Sequence, residues 1–294
     1  MQLDYDHLRA LSEILRTGSF DAAASSLGVT PSAISQRVRA LEDQVGARLI
    51  LRAVPCVGTD LGQRLARHAE EVAVMEAALL PDQSEPARLS IAVNADSLAT
   101  WIIPALASQP DIRFDLTVVD QDHSAQLLKE GRVAAAITTR AQAIQGCDSI
   151  PLGALEYVAT ASPEFVAKWF PDGVTPDALE RATALVFDTK DGLQRDWALR
   201  ETGEHIALTG HVLPSTQAFV AAASVGMGWG MNPAQLVKEA LADGTLVALG
   251  QRPRYHTPLY WQISRRLAPH LKGLTHALRQ QAKTELVAPQ GKNG

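Results

Sequence analysis

The sequence predicts an α/β multidomain protein with a winged helix-turn-helix, a long linker helix and a C-terminal two-lobed α/β domain. Three observations support this. Two short helical segments, joined by a glycine-containing turn, lie within residues 20–45. A heptad pattern of apolar residues then spans residues 61–79, and strand-like runs alternate with helical runs from residue 88 onward. A chain of 294 residues is long enough for two or three such units.

Composition excludes several classes of protein. The chain is 46% hydrophobic and 20% charged, which is ordinary for a globular protein. The N-terminal segment has no basic-then-apolar signal pattern, and no apolar run reaches membrane-spanning length. Cys56 and Cys147 lie far apart without a CxxC motif, so we expect no zinc site and no disulfide framework. These features favour a cytoplasmic protein without a metal or cofactor and without a membrane partner.

The first two helices carry clear boundary signals. Asp4 is placed to cap a first helix, and Gly18 is placed to end it. Ser19 can then cap a short second helix over residues 20–27, which stops at Gly28. The sequence therefore predicts two helices packed closely before the third one begins.

The third helix has one apolar face and one polar face. Thr30 caps it, and Pro31 occupies the first position, where a missing N–H costs nothing. A second helix that protrudes with Ser, Gln and Arg at its start is suited to base edges and phosphates in a DNA major groove. An αα-hairpin that only packs is the alternative on periodicity alone. The predicted DNA contacts are Thr30, Pro31, Ser32, Ser35, Gln36, Arg37, Arg39 and Arg52.

The segment after the third helix predicts a wing and a linker helix. A strand-like run at residues 49–51 is followed by Pro55 and Gly58, with Arg52 near the DNA backbone. A helix capped by Thr59 then runs to about Leu80. Its heptad seam favours pairing with a second copy of the chain, which would place two recognition helices on a two-fold operator. The alternative is a helix lying on its own domain. The seam residues are Leu61, Leu65, His68, Val72, Met75 and Leu79.

The segment "GSFDAAASSLGVTPSAISQRVRALEDQVGARLILR" resembles the N-terminal part of LysR-type transcriptional regulators. The stretches "VNADSLATWIIPAL", "PLGALEYVATASPEF", "STQAFVAAASVGMGWGMNP" and "LYWQ" extend the resemblance to the ArgP/LysG-like subgroup, which controls export of basic amino acids. The resemblance implies a homodimer or homotetramer on double-stranded operator DNA, with RNA polymerase as a further candidate partner. It implies lysine or arginine as the effector and an exporter promoter as the target. The wing "RAVPCVGTD" departs from the common pattern of a basic residue before Thr-x-x-Gly.

A polar, proline-bearing segment over residues 81–88 marks a domain boundary. We place the DNA-binding domain at residues 1–58, the linker helix and hinge at 59–87, and the effector-binding domain at 88–294. Within the latter, lobe I covers about 88–156 and 260–294, and lobe II about 157–259. Two lobes with the chain crossing between them imply a cleft, as in periplasmic-type binding folds.

A basic amino acid needs anion donors at one end and carboxylates at the other. Polar residues at strand ends and helix starts supply both, because ligands in open α/β sheets lie beyond the carboxyl ends of the strands. Each acid has an ordinary alternative role as a helix cap or loop residue. Trp101 is placed to pack the aliphatic stem, or else lies in the core. The predicted effector contacts are Asn94, Asp96, Ser97, Trp101, Asp120, Asp122, Thr138, Thr139, Asp188, Ser215 and Thr216, with His123 beside Asp122.

Enzymatic function is disfavoured. The sequence contains no GxSxG, HExxH or GxxxxGK[ST] motif. The glycines of "GMGWG" follow a helical run, so they favour close packing or a tight turn over a dinucleotide loop. Two other readings stay open: an architectural DNA-bending protein of low sequence specificity, and a regulator of the same family that senses a different small molecule.

Overall fold

The computed structural model describes residues 2–51, 53–79, 86–119 and 121–288, and for residues 121–123 it describes the backbone. The chain forms two compact units. The first comprises Met1–Val93, Ala107–Ile150 and Trp261–His276. The second comprises Asn94–Leu106, Pro151–Tyr260 and Ala277–Gly294. The domain boundaries placed from the sequence stay a prediction.

The N-terminal elements follow the predicted order of helices and wing. They are α1 (Tyr5–Thr17), α2 (Phe20–Leu27), α3 (Pro31–Val45), β1 (Ile50–Leu51), β2 (Val57–Gly58) and α4 (Asp60–Leu79). The predicted caps are confirmed, since the side chains of Asp4, Ser19 and Thr30 each accept a hydrogen bond from a first-turn N–H. Gly18 and Gly28 end the first two helices in the left-handed conformation. β1 and β2 pair antiparallel and form the wing.

The helix-turn-helix has its own apolar core. Three residues from one face of α3 are buried in it, and they alternate at the spacing of one helix face. Burying such side chains stabilises the fold by about 1.5–3 kcal/mol each. The polar residues of α3 are therefore left on the opposite side. The fully buried core members include Leu8, Leu11, Ile14, Ala23, Ile34, Val38, Leu41 and Leu49.

Helix α4 packs on its own chain along a face of small residues, namely Gly62, Ala66 and Ala69. Gly62 is required there, because an added Cβ would lie 2.0 Å from the carbonyl oxygen of Leu49. The residues of the predicted heptad seam therefore fall into two groups. Leu61 and Leu65 pack against the helix-turn-helix core, a position that the dimer interpretation did not foresee. His68, Val72 and Met75 stay half-buried, and Leu79 is 74% exposed.

The remaining elements alternate between strand and helix as the sequence predicts. They are β3 (Ala87–Val93), α5 (Ala95–Thr100), α6 (Ile103–Ala107), β4 (Ile112–Val118), α7 (Gln121–Glu130), β5 (Ala135–Thr138), β6 (Cys147–Ala161), α8 (Pro163–Trp169), α9 (Pro176–Arg181), β7 (Ala184–Val186), α10 (Leu193–Thr202), β8 (Gly210–Val212), α11 (Thr216–Ser224), β9 (Gly230–Pro233), α12 (Ala234–Ala242), β10 (Val247–Ala248), β11 (Arg254–Ser264) and α13 (Lys272–Glu285).

Each unit contains its own strand pairings. In the first unit, β3 pairs in parallel with β4 on one side and β5 on the other, which confirms the predicted parallel sheet. In the second unit, β6 pairs antiparallel with β9 and β10, and β7 pairs in parallel with β8. The long strands β6 and β11 contribute residues to both units.

Two predictions of local structure are wrong. The run "SLATWIIPALASQ" was expected to form one helix, but it forms α5 and α6 with a break at Trp101 and Ile102. Pro104 has no N–H to donate to the carbonyl of Thr100, so the helix is interrupted before it, and Trp101 and Ile102 at the break are fully buried. Asp122 and His123 were expected on a strand, yet their backbone lies in the first turn of α7.

The glycines of "GMGWG" permit close packing and a turn, as the sequence predicts. Gly226 adopts a left-handed φ of 75° just after α11. A Cβ at Gly230 would lie 2.4 Å from the Phe219 ring. Within the described residues, no helix is long and apolar enough to cross a membrane.

Candidate DNA-binding and effector-binding sites

The polar face of α3 stands clear of the helix-turn-helix core. Ser32, Gln36 and Arg39 are exposed, and they lie within one narrow arc of the helix opposite the buried residues. Thr30 and Pro31 are also exposed at the start of the helix. Hydroxyl, amide and guanidinium groups on one open face can donate and accept hydrogen bonds at base edges or phosphates.

Three of the predicted DNA contacts have further features. Arg37 is half-buried and forms an ion pair with Asp6 of α1, at 3.4 Å between Nη2 and Oδ2. Ser35 is half-buried beside a shallow pocket that it shares with Phe20 and three wing residues. Those wing residues are Ala53, Val54 and Cys56. Arg52 lies outside the described residues.

The second unit contains a half-buried carboxylate, that of Asp96, which is held by two hydroxyl groups. Tyr157 donates to Oδ2 of Asp96 at 2.6 Å, and Thr216 donates to Oδ1 at 2.8 Å. Tyr157 and Thr216 are 1% and 4% exposed, so both hydroxyls are fixed by the surrounding packing. A carboxylate offers about four lone-pair positions, and the two hydroxyls occupy two of them. The remaining positions can accept hydrogen bonds from a ligand.

The electrostatics at Asp96 favour a cation. Burial raises the pKa of the Asp96 carboxyl, the two hydroxyl hydrogen bonds lower it, and the negative charge of Asp191 raises it again. Burial raises the pKa of Tyr157 as well, so its phenol stays protonated and acts as a donor. Among the described residues no basic side chain forms an ion pair with Asp96. A cationic ligand would compensate both the lost hydration and the repulsion between the two acids.

Helix α5 presents three buried polar atoms without a hydrogen-bond partner in the described chain. They are Oδ1 of Asn94, Oγ of Ser97 and Nε1 of Trp101. Asn94 precedes α5 but makes no side-chain capping bond, and Ser97 and Trp101 are fully buried. A buried polar atom left unpaired costs about 1–3 kcal/mol, so such a cluster beside Asp96 is suited to polar groups of a ligand.

Other predicted effector contacts have a structural use of their own. Asp188 accepts hydrogen bonds from the N–H groups of Lys190 and Asp191 and so shapes its loop. Ser215 caps α11 by accepting from the N–H of Ala218. Asp188 and Ser215 therefore have the ordinary structural roles, loop residue and helix cap, that the sequence offered as the alternative to ligand binding. These roles do not exclude a ligand contact.

The remaining predicted contacts belong to the first unit. Thr138 is 1% exposed, and its hydroxyl bonds to the carbonyl of Arg140 and accepts from Gln262. Thr139 is half-buried next to it. Asp120 lies outside the described residues, and for Asp122 only the backbone is described.

Sequence reasoning missed Tyr157 and Asp191. Tyr157 sits in the apolar strand β6 and is 61 residues from Asp96, so only the folded chain brings the two together. A tyrosine within a run of small and β-branched residues was a weak signal, because aromatic residues are common in strands. Asp191 lies three residues beyond Asp188 in the same loop, and only Asp188 directly follows the predicted strand.

Comparison with known proteins identifies the two parts of the chain. A model of the bacterial regulatory helix-turn-helix protein, LysR family, matches residues 5–63. A model of the LysR substrate binding domain matches residues 82–283. The chain belongs to the LysR family. It is a DNA-binding transcriptional regulator of that family, built from a helix-turn-helix and a substrate-binding domain.

Individual LysR-family members are similar over nearly the whole chain. The transcriptional regulator LysG of Mycobacterium bovis is 40% identical over 96% of this chain and 94% of its own length. The crystal structure of ArgP from Mycobacterium tuberculosis has 40% identity and a TM-score of 0.82, covering 98% of this chain and all of that one. Full-length LysG from Corynebacterium glutamicum with bound effector arginine has 31% identity and a TM-score of 0.68, covering 97% and 100%.

Proposed function

We propose that this LysR-family regulator binds an operator through the polar face of α3 and responds to a basic amino acid, lysine or arginine. The effector-binding group is the carboxylate of Asp96, oriented by Tyr157 and Thr216. The observation that carries this assignment is the half-buried Asp96 carboxylate, which has two hydroxyl partners and a second acid, Asp191, nearby.

The chemistry of the site matches the chemistry of the ligand. An ammonium or guanidinium group approaching Asp96 forms charge-assisted hydrogen bonds, which are about twice as strong as neutral ones. The unpartnered groups of Asn94, Ser97 and Trp101 supply donors and an acceptor for the other polar groups of an amino acid. The arginine bound by the related LysG supports the same class of ligand here.

The regulator acts on DNA as a cytoplasmic homodimer or homotetramer. The half-buried seam residues of α4 (His68, Val72 and Met75) and the exposed Leu79 are the surface for the second copy. A two-fold dimer presents two α3 helices to two operator half-sites. RNA polymerase is the further partner at the promoter, and an amino-acid exporter gene is the proposed target. The regulatory domain requires no cofactor and performs no catalysis.

Regulation follows from a shift between populations of conformations. The effector binds one conformation of the substrate-binding domain better than another, and it can shift the equilibrium only by that difference in affinity. The coupling is reciprocal, so operator DNA must change the affinity for the effector by the same factor.

Calorimetry with arginine, lysine and histidine tests the effector class. We expect saturable binding of arginine or lysine by the full-length protein. A gel shift on DNA upstream of any adjacent divergent gene, with random duplex as control, tests the operator. Equal, salt-dependent binding to both duplexes would favour an architectural protein, and absence of heat with all three amino acids would refute the basic amino acid response.

A further inference from the structure

A pair of adjacent acids on the linker helix lies where α4 packs against the substrate-binding domain within the first unit. Oγ of Ser90 on β3 donates to Oε2 of Glu70 at 3.3 Å. One residue further, Glu71 is 4% exposed and lies 3.4 Å from Oγ of Ser264. Both acids therefore face the substrate-binding domain across the helix contact.

The two acids differ in their partners. Glu71 pairs with Arg67 at 3.1 Å and with Arg266 at 3.5 Å. Arg67 also donates to the backbone carbonyl of Leu128 in α7. Glu70 has no ion pair among the described residues, and the hydroxyl of Ser90 is its neutral partner.

The charged groups around Glu70 favour its protonated form. The pKa of Glu70 is raised to about 7, chiefly by loss of hydration on burial, and the negative charges of Asp115 on β4 and Glu71 on α4 contribute in the same direction. The Ser90 hydrogen bond and the positive charge of Arg67 oppose this and lower the pKa. The pKa of Arg16 on α1 is raised mainly by its hydrogen bond to Glu13, and the negative charge of Asp115 adds a smaller contribution in the same direction. The cluster thus extends to the DNA-binding domain.

Helix α4 also contributes residues to the core of the DNA-binding domain. Ala66 and Ala69 are buried in the helix-turn-helix core, and Leu61 and Leu65 pack on it. Val74, one turn beyond Glu70, is 4% exposed. A change in the docking of α4 on β3 therefore also changes the position of the helix-turn-helix relative to β3.

We propose that Glu70 is a proton-operated latch between the linker helix and the substrate-binding domain: it is protonated while α4 is docked and ionises when α4 separates from β3. A protonated carboxyl still accepts the hydrogen bond from Ser90 through its carbonyl oxygen, and it places no uncompensated charge in the contact. Docking then becomes weaker as the pH rises through neutrality.

The expected size of the pH effect follows from the difference between the pKa of Glu70 in the docked state and in the undocked state. The docked pKa of about 7 exceeds the ordinary glutamate value of 4.5, so the stabilising effect is complete below 4.5 and is lost as the pH rises through 7. Between pH 6 and pH 8 the docking equilibrium constant should fall about tenfold.

Cysteine labelling of the full-length protein measures this equilibrium. Val74 is 4% exposed with α4 docked, so labelling of Val74→Cys requires α4 to open, whereas Ala73→Cys places a thiol at the neighbouring exposed position of the same helix. Mass spectrometry of the labelled peptides separates both from Cys56 and Cys147. The ratio of the rate at position 74 to that at position 73 should rise about tenfold from pH 6 to pH 8.

Variants distinguish the latch from a general effect of pH. Glu70→Gln should remove the rise, and the exposed control Glu76→Gln should keep it. Asp115→Asn should move the midpoint to lower pH and Ser90→Ala to higher pH, which also tests the latch if Glu70→Gln does not fold. A flat ratio in the unaltered background, or an identical rise in Glu70→Gln, would overturn the proposal. Midpoints that do not move in opposite directions would also overturn it.

Discussion

The DNA-binding domain and the proposed effector-binding site at Asp96 use polar side chains in opposite ways. On α3, Ser32, Gln36 and Arg39 are exposed on one short segment, and their arrangement depends only on a helical period. At the effector site, Asp96 is held by residues 61 and 120 positions away in the chain. A DNA contact surface must project from the core, whereas a small-ligand site must be enclosed by it. The difference teaches that the first is encoded locally and the second by the tertiary fold.

The largest expected effect concerns the proposed effector-binding site at Asp96. Asp96→Asn should weaken arginine binding by about 2–5 kcal/mol, because a desolvated cation would lose its charged partner. Isothermal titration calorimetry measures the change. Asp172→Asn, at an exposed carboxylate in the same unit, is the matched control and should bind arginine normally. Unaltered arginine affinity in Asp96→Asn would remove Asp96 from the site.

The next effect concerns the exposed polar face of α3. Gln36→Ala should weaken operator binding by about 1–3 kcal/mol and leave random DNA nearly unaffected, since a base contact carries specificity. Arg37→Ala should show the same direction, but Asp6→Ala is needed beside it because Asp6 pairs with Arg37 in the free protein. Footprinting titrations on operator and random duplexes give the affinities. Equal affinities for all variants would mean that α3 is not the recognition helix.

The smallest effect divides the effector site into its parts. Tyr157→Phe and Thr216→Val each remove one hydroxyl from Asp96 and nearly preserve shape. Each should weaken arginine binding by about 0.5–1.5 kcal/mol, the net value of one hydrogen bond. Calorimetry of both single variants and the double variant shows whether the two hydroxyls act together. A loss as large as that of Asp96→Asn in either single variant would mean that the hydroxyl, and not the carboxylate, makes the main contact.

The contrast between these two regions also explains which features could be predicted from the sequence. Caps and glycines act within four residues, so Ser19, Gly28, Thr30 and Pro31 gave the helix-turn-helix boundaries directly. The sequence also indicated Asp96 and Thr216, each at the start of a helix, as effector contacts, and that assignment stays a prediction. It could not indicate Tyr157, because no local pattern marks a strand tyrosine that meets an acid on a distant helix.

The interrupted helix and the divided seam of α4 have different causes. Pro104 interrupts the helix at Trp101 and Ile102, and the prediction of one helix overlooked this local signal. Leu61 and Leu65 fit a heptad, but the nearest apolar surface is that of their own domain. A periodic pattern shows which face of a helix is apolar, and it does not show what covers that face.

The most direct test of the account is the effect of arginine on operator affinity, measured by fluorescence anisotropy with the full-length protein and its Asp96→Asn variant. We expect arginine to change the operator affinity of the unaltered protein by about 5- to 150-fold. Asp96→Asn should bind the operator as the unaltered protein does without arginine, and it should not respond to arginine. An equal response in both proteins, or none in the unaltered one, would contradict the claim that a cation at Asp96 controls DNA binding.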